Sequence, residues 1–202
     1  VGTLVSVPLN SLVVLKDGPI RKISDLKGKK IGFSVGGFEE ALLSGMLQKY
    51  NLKMSDVDLV NINFSLSPSL IAKKVDAVIG AFRDFELNQM DIVNHPGRAF
   101  YPEEHGVPTY EELIYIANQK NKNNPLFDKF FSAIQKATLT IINDPVSTWK
   151  DFSALRKGLN DELNKRAYKD TVSRFALRPP AHDLKTYSNF STFLKRKGII
   201  KK

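Results

Sequence analysis

Asp25-Leu26-Lys27-Gly28-Lys29-Lys30-Ile31-Gly32-Phe33-Ser34-Val35-Gly36-Gly37-Phe38-Glu39 is the stretch that decides how the chain is read. A charged turn closed by Gly28 leads into a short apolar strand, then two glycines, then a helix. Further along, Lys74-Val75-Asp76-Ala77-Val78-Ile79-Gly80-Ala81-Phe82-Arg83-Asp84-Phe85-Glu86 is a second apolar strand ending in a polar and aromatic cluster. Strand ends with polar or glycine-rich tips are how an open α/β sheet builds a ligand cleft. Small-molecule binding is therefore the expectation.

Working outward, strands are expected over Lys30–Val35, Val57–Phe64 and Val75–Phe82, with helices over Phe38–Tyr50 and Ser69–Lys74 between them. In the middle strand Val60, Ile62 and Phe64 alternate with Asn61 and Asn63. Ser67-Pro68 reads as a capping residue followed by proline at the first helical position. This β-α-β-α-β order predicts a parallel sheet with right-handed crossovers. Residues 3–7 and 11–16 read as β-segments broken at Pro8, and Glu112–Asn118 as a further strand. From Asn124 the pattern is helical. Asn124-Pro125 and Asp144-Pro145 each place a capping side chain before proline. Leu126, Phe127, Phe130, Phe131, Ile134, Ala137, Ile141 and Ile142 form one apolar stripe; Val146, Trp149, Phe152 and Leu155 form a second. A third helix starts at Asn160. The last helix, Asp183–Lys197, turns Leu184, Tyr187 and Leu194 inward and ends at Gly198.

The 202 residues are 42% hydrophobic and 25% charged, the balance of a folded domain. No apolar run approaches the ~18 residues a membrane helix needs, so stable membrane insertion is not expected. The net charge of +9 is spread along the chain, apart from Lys195-Arg196-Lys197 and Lys201-Lys202. That distribution favours a solvated face over nucleic-acid binding, and it also suits an acidic partner or anionic lipid. The absence of cysteine removes disulfides, thiol nucleophiles and the usual zinc sites. His95, His105 and His182 lack ligand spacing, and no nucleophile–base set stands out, so neither a metal nor a catalytic residue is expected. Val1–Pro8 reads as strand interior rather than as a signal segment.

Free backbone N–H groups at Ser34-Val35-Gly36-Gly37, just before a helix, could clamp an anion or a carbonyl oxygen; equally, the glycines could serve only the turn. Glu86, beside Phe82, Arg83 and Phe85, suits a planar amino-bearing heterocycle, the ring against an aromatic face and the amine on the carboxylate. The alternative is an exposed Arg83–Glu86 pair of little worth. Asn10 either points into a cleft or satisfies turn backbone, and Asn63, Ser65 and Ser67 carry the same ambiguity. Tyr101–Pro108 reads as a rigid hinge segment, and Trp149 as core.

Two segments, Asp25–Gly32 and Lys74–Glu86, together with Tyr101-Pro102-Glu103-Glu104-His105-Gly106-Val107-Pro108, resemble the NMT1/THI5-like group of periplasmic substrate-binding proteins, in particular its ThiY-type members. The resemblance covers essentially the whole chain. It implies an α/β, type II periplasmic-binding-protein fold of two lobes joined by crossing strands, with ligand between them and binding by lobe closure. Carried over, Leu12–Lys16 and Leu113–Asn118 are the crossings. Residues 20–105 are the complete second lobe, and 1–19 and 106–202 part of the first. The family's N-terminal segment has no counterpart here, so an apolar face is expected on lobe one. The implied function is capture of a substituted aminopyrimidine, a thiamine precursor, for an inner-membrane ABC permease, with a periplasmic location and no cofactor. The ligand-binding residues expected are Asn10, Ser34, Gly36, Gly37, Phe38, Phe82, Arg83 and Glu86. Two alternatives stay open. One is a pyrimidine synthase consuming pyridoxal phosphate and histidine; those synthases carry a cysteine-rich run where this chain has Gly106–Glu111. The other is a binding protein for a different planar ligand, such as a flavin or an aromatic sulfonate.

Overall fold

The computed structural model describes residues 1–181 and 183–201; His182 and Lys202 lie outside the described residues. The chain forms two compact units, Val1–Pro8 with Tyr110–Tyr187, and Leu9–Thr109 with Ser188–Lys202. Strand β1 (Gly2–Val5) belongs to the first and β2 (Asn10–Leu15) to the second. The division thus falls at Pro8–Leu9 and Thr109–Tyr110, outside the two segments named above as crossings. It also returns residues 188–202 to the second unit. The reason for the first difference is burial: β2 is a central strand, paired on both sides.

The second unit is built on β3 (Lys30–Phe33), α1 (Phe38–Lys49), β4 (Asp58–Asn61), α2 (Leu66–Ile71), β5 (Ala77–Phe82), α3 (Glu86–Ile92) and β6 (Gly97–Phe100). The sheet order is β4-β3-β5-β2-β6. As expected, β3 runs parallel to β4 and β5. The sheet is nevertheless mixed, because β2 is antiparallel to both β5 and β6. The sequence pattern did not reveal α3 or β6: all four β6 residues are half-buried, so no alternation marks them. The crossovers β3-α1-β4 and β4-α2-β5 move in opposite directions along the sheet, which for right-handed connections puts α1 and α2 on opposite faces. On the α2 and α3 side Val13, Val78 and Ala81 pack with Leu66, Leu70 and Met90.

That packing contains an irregularity. Val78 and Ala81 face the same core although an uninterrupted strand sends residues of odd separation to opposite faces. The register explains it: Ser11 opposes Ala81 and Leu12 opposes Ile79, which leaves Gly80 unmatched as a bulge. Gly80 has φ of 104°, a conformation open to glycine.

Helix α1 buries Leu42, Leu43, Met46 and Leu47, a spread too wide for a one-sided helix. Its outer side is covered by Phe193, which approaches Gly45 so closely that a Cβ there would lie 2.9 Å from the ring. At the next connection Ser67-Pro68 does not start the helix. Helix α2 begins at Leu66 after Ser65, with Ser67 buried and Pro68 still in the first turn, where its missing N–H is harmless. Strand β4 stops at Asn61, and Phe64 is exposed rather than inward. Asn63, with φ of 50°, turns the chain out of the alternation.

In the first unit β1 pairs antiparallel with β7 (Leu113–Tyr115). The other side of β1 is held by Thr3 N to Pro179 O (2.7 Å) and Ala176 N to Leu4 O (2.9 Å). Helices α4 (Leu126–Asn143), α5 (Pro145–Ala154) and α6 (Glu162–Val172) follow, and α7 (Leu184–Arg196) starts in this unit and continues from Ser188 in the second. Asp144 caps α5 by accepting from Ser147 N (3.0 Å), with Pro145 first in the helix. Asp161, rather than Asn160, caps α6. The inward face of α4 is Phe131 and Thr138. Trp149 packs with Phe152 and Tyr168 at ring separations of 5.9 and 5.3 Å. The apolar stripes stay partly exposed, with Val146 at 68% and Leu155 at 71%. In α7 Leu184 (79%) and Tyr187 (45%) face solvent and Phe193 is the buried residue. No helix among the described residues is long and apolar enough to cross a membrane.

Candidate functional site

The parallel strands β3, β4 and β5 deliver their C-terminal ends to one edge of the second unit, and antiparallel β2 brings its first residue, Asn10, to that edge opposite Phe82. Ser34, Gly36, Gly37 and Phe38 follow β3, and Phe82, Arg83 and Glu86 end or follow β5. All eight residues expected at the site therefore belong to this edge, but their side chains do different things.

Glu86 is the first residue of α3 and reaches back to accept from Phe82 N at 2.6 Å. Burial raises its pKa above the ordinary glutamate value. The Phe82 and Glu86 N–H groups oppose that rise, and the nearby Asp84 and Glu39 carboxylates add to it. Arg83 does not pair with Glu86. It forks onto Glu103 (2.7 and 3.1 Å), donates to the Leu9 and Asn10 carbonyls (3.3 and 3.0 Å) and lies 3.9 Å over the Tyr101 ring. With its side chain only 9% exposed, it acts as a brace between strand end and loop.

Asn10 is buried, and its Oδ1 accepts from the bulged Gly80 N–H at 3.0 Å. It thus holds the bulge from within the sheet. Ser34 donates through Oγ to the Asn63 carbonyl, tying the end of β3 to the turn after β4. Gly36 is exposed, and Phe38 packs edge-on against Phe190 at 6.2 Å.

Two of the N–H groups ahead of α1 are already engaged by the chain's own carboxylates. Ser34 N donates to Glu39 Oε2 and Gly37 N to Glu40 Oε2, each at 2.7 Å. Glu39 is 4% exposed, and its carboxyl sits where a side chain on Gly80 would be: a Cβ there would fall 2.3–2.7 Å from its atoms. Sequence reading missed Glu39, which looks like an ordinary first-turn acid. Only the pairing of a helix start with a distant glycine reveals it. Alternation also assigned Phe64 to the core, whereas its ring is exposed.

A separate cavity of about 500 Å³ opens at the other end of the sheet, among Leu15, Ile20, Leu70, Ile71 and Val75 with Lys16 and Lys73 at its rim. We do not assign the site there. The parallel strands start rather than finish at that end, whereas ligands of open α/β sheets meet the carboxyl ends.

The sequence profile described as "NMT1/THI5 like" matches residues 1–148. The chain belongs to the NMT1/THI5-like family. Within and around that family, it is 46% identical over 203 residues to the "Putative thiamine biosynthesis protein" of Haemophilus influenzae, covering 100% of this chain and 65% of that protein. It is 26% identical over 214 residues to the 4-amino-5-hydroxymethyl-2-methylpyrimidine phosphate synthase of Schizosaccharomyces pombe, covering 98% and 60%. It is also 26% identical over 147 residues to the formylaminopyrimidine-binding protein of Halalkalibacterium halodurans, covering 72% and 44%. The chain thus spans at most about two-thirds of these relatives' lengths. Among solved structures, the alkanesulfonate-binding protein SsuA from Xanthomonas axonopodis pv. citri bound to MOPS superimposes with a TM-score of 0.70 at 16% identity, over 100% of this chain and 70% of that one. The fold is that of the periplasmic solute-binding proteins.

Proposed function

We propose that the protein is the substrate-binding component of an ABC importer. It captures a substituted aminopyrimidine outside the cytoplasmic membrane and hands it to an inner-membrane permease. Family membership and the formylaminopyrimidine-binding relative support this reading. The observation that carries it is the character of the sheet edge. Two N–H donors before α1, those of Ser34 and Gly37, are taken up by Glu39 and Glu40, while the half-buried Glu86 carboxyl stands at the next strand end. Such an edge accepts hydrogen bonds and repels anions. It suits a ring amine and disfavours a sulfonate, so the likeness to SsuA concerns the fold and not the ligand. Phe82 supplies an apolar wall beside the carboxylate, and Gly36 lets a ligand approach the backbone closely.

Calorimetric titration tests this. A formylaminopyrimidine or a 4-aminopyrimidine is expected to bind and a simple alkanesulfonate to give no heat. Glu86→Gln is expected to weaken binding about tenfold or more, the scale of a charge-assisted hydrogen bond. Unchanged affinity in that variant removes Glu86 from the site, and preferential sulfonate binding overturns the reading.

A second reading is pyrimidine synthase chemistry, favoured by the similarity to the fission-yeast enzyme along nearly the whole chain. It predicts pyridoxal absorbance in the purified protein and consumption of one histidine. Gly106–Glu111 weighs against it, since this stretch holds no cysteine where the resemblance to the synthases implies a cysteine-rich run.

A further inference from the structure

Three neighbouring strands of the second unit are each followed by an exposed apolar side chain at the same end of the sheet. Phe64 follows β4, Val35 follows β3 and Phe85 follows β5; they are 83%, 44% and 38% exposed. The order β4-β3-β5 sets these turns side by side, across two strand spacings or about 10 Å. Single exposed apolar residues are ordinary. Three on successive turns, at the end that also carries Glu86, form a strip.

Phe64 is the extreme member, and its exposure is built in. Asn63 adopts φ of 50° and so diverts the ring from the core that Ile62 joins. The turn is tied at three points: Asn63 N donates to Asn61 Oδ1 (2.9 Å), Ser65 N to the Ile62 carbonyl (3.2 Å), and Ser34 Oγ to the Asn63 carbonyl. A ring presented to solvent on a tethered turn loses little further freedom when a ligand covers it.

We propose that Phe64 is a ligand-contact residue whose ring face is the stacking platform for the captured heterocycle, with Val35 and Phe85 completing an apolar strip that leads to Glu86. The inference rests on the reading of the ligand as a planar amino-bearing ring and adds the residue that binds its face. The ring lies toward Phe64 and its amine toward Glu86. Selectivity then has two parts, flatness read by Phe64 and hydrogen-bond donation read by the carboxylate. Stacking on an aromatic side chain tolerates many ring types, so Phe64 supplies affinity and Glu86 discrimination.

The test is a pair of substitutions in the intact protein, titrated with a 4-aminopyrimidine. Phe64→Ala is expected to leave the melting temperature unchanged, since the ring is exposed, and to raise Kd about tenfold. Phe64→Trp is expected to hold Kd within about threefold of the wild type. Its indole emission should fall on titration beyond any change in Trp149 of the wild-type protein. Wild-type affinity in Phe64→Ala together with no emission change in Phe64→Trp overturns the proposal. If the wild-type protein binds no aminopyrimidine, the functional reading fails separately. The Phe64→Trp protein titrated with quinoline, a flat ring without the amine, then decides: saturable quenching supports the platform, and its absence overturns it.

Discussion

Gly80 shows how one position can shape the edge of a sheet. Its backbone is left unmatched between Ile79 and Ala81, its N–H is held by Asn10, and the space its missing side chain leaves is filled by the Glu39 carboxyl. Gly80→Ala therefore meets two penalties, a left-handed conformation and a clash with a buried acid. We expect destabilisation of about 2–4 kcal/mol in urea unfolding, whereas Gly28→Ala, also left-handed but with nothing within 4 Å, is expected to lose only about 1 kcal/mol. Equal losses would mean that the Glu39 contact adds nothing. Glu86 is the group expected to carry the pH dependence of the candidate site. Because burial raises its pKa in the folded protein, its protonated form is the better tolerated one. Its contribution to stability is present below the ordinary carboxylate pKa and is lost as pH rises through the raised value. Glu86→Gln should thus flatten the stability curve on the alkaline side of the carboxylate range. In the wild type, affinity for a neutral aminopyrimidine should fall as acid protonates the acceptor. A variant whose curve matches the wild type would place the titrating group elsewhere.

At the scale of elements, the 3-10 turn Pro102–Glu104 and its neighbours brace the second unit through side chains that sequence pattern marked only as a rigid loop. His105 Nδ1 lies 2.8 Å from Tyr50 Oη, with its ring against Phe100 at 5.8 Å, and Lys49 Nζ donates to the Glu104 carbonyl at 2.6 Å. Burial lowers the His105 pKa and Lys49 lowers it further, while Glu104 and Glu103 partly offset the shift. The neutral imidazole is therefore favoured in the folded state. Stability should fall as pH drops from the ordinary histidine value through the depressed one, because the unfolded chain binds the proton first. Replacing His105 by Gln should remove that slope while lowering stability at neutral pH; a slope that persists would assign it to other groups. Helix α1 offers a second check. Phe193 and Val107 both close on Gly45, so Gly45→Leu should overpack the contact and cost about 1–3 kcal/mol in urea unfolding, despite leucine's better helix propensity.

For the molecule as a whole, the two units differ in how much core they own. Of the largest fully buried side chains among the described residues, Val5 alone belongs to the first unit; Leu12, Ile31, Leu42, Met46, Ile79 and the rest belong to the second. Local stability follows buried apolar contacts. Hydrogen exchange should therefore find the slowest amides in β2, β3 and β5 and faster exchange throughout α5, α6 and the start of α7. Uniform protection across both units would contradict this. The same imbalance explains which parts of the structure could be read from the chain. Continuous apolar runs and glycine punctuation determined β3, β5 and α1, the parallel pairing around β3, and the two strand ends that carry the candidate site, because local periodicity and turn chemistry act within a few residues. Packing between distant segments decided the rest. It inserted β2 antiparallel beside β5, added β6 at the edge and drew residues 188–202 onto the second unit. It also engaged Arg83 with Glu103 instead of Glu86 and lodged Glu39 on Gly80. Each of those outcomes depends on which remote groups share a desolvated space, and no local pattern encodes that.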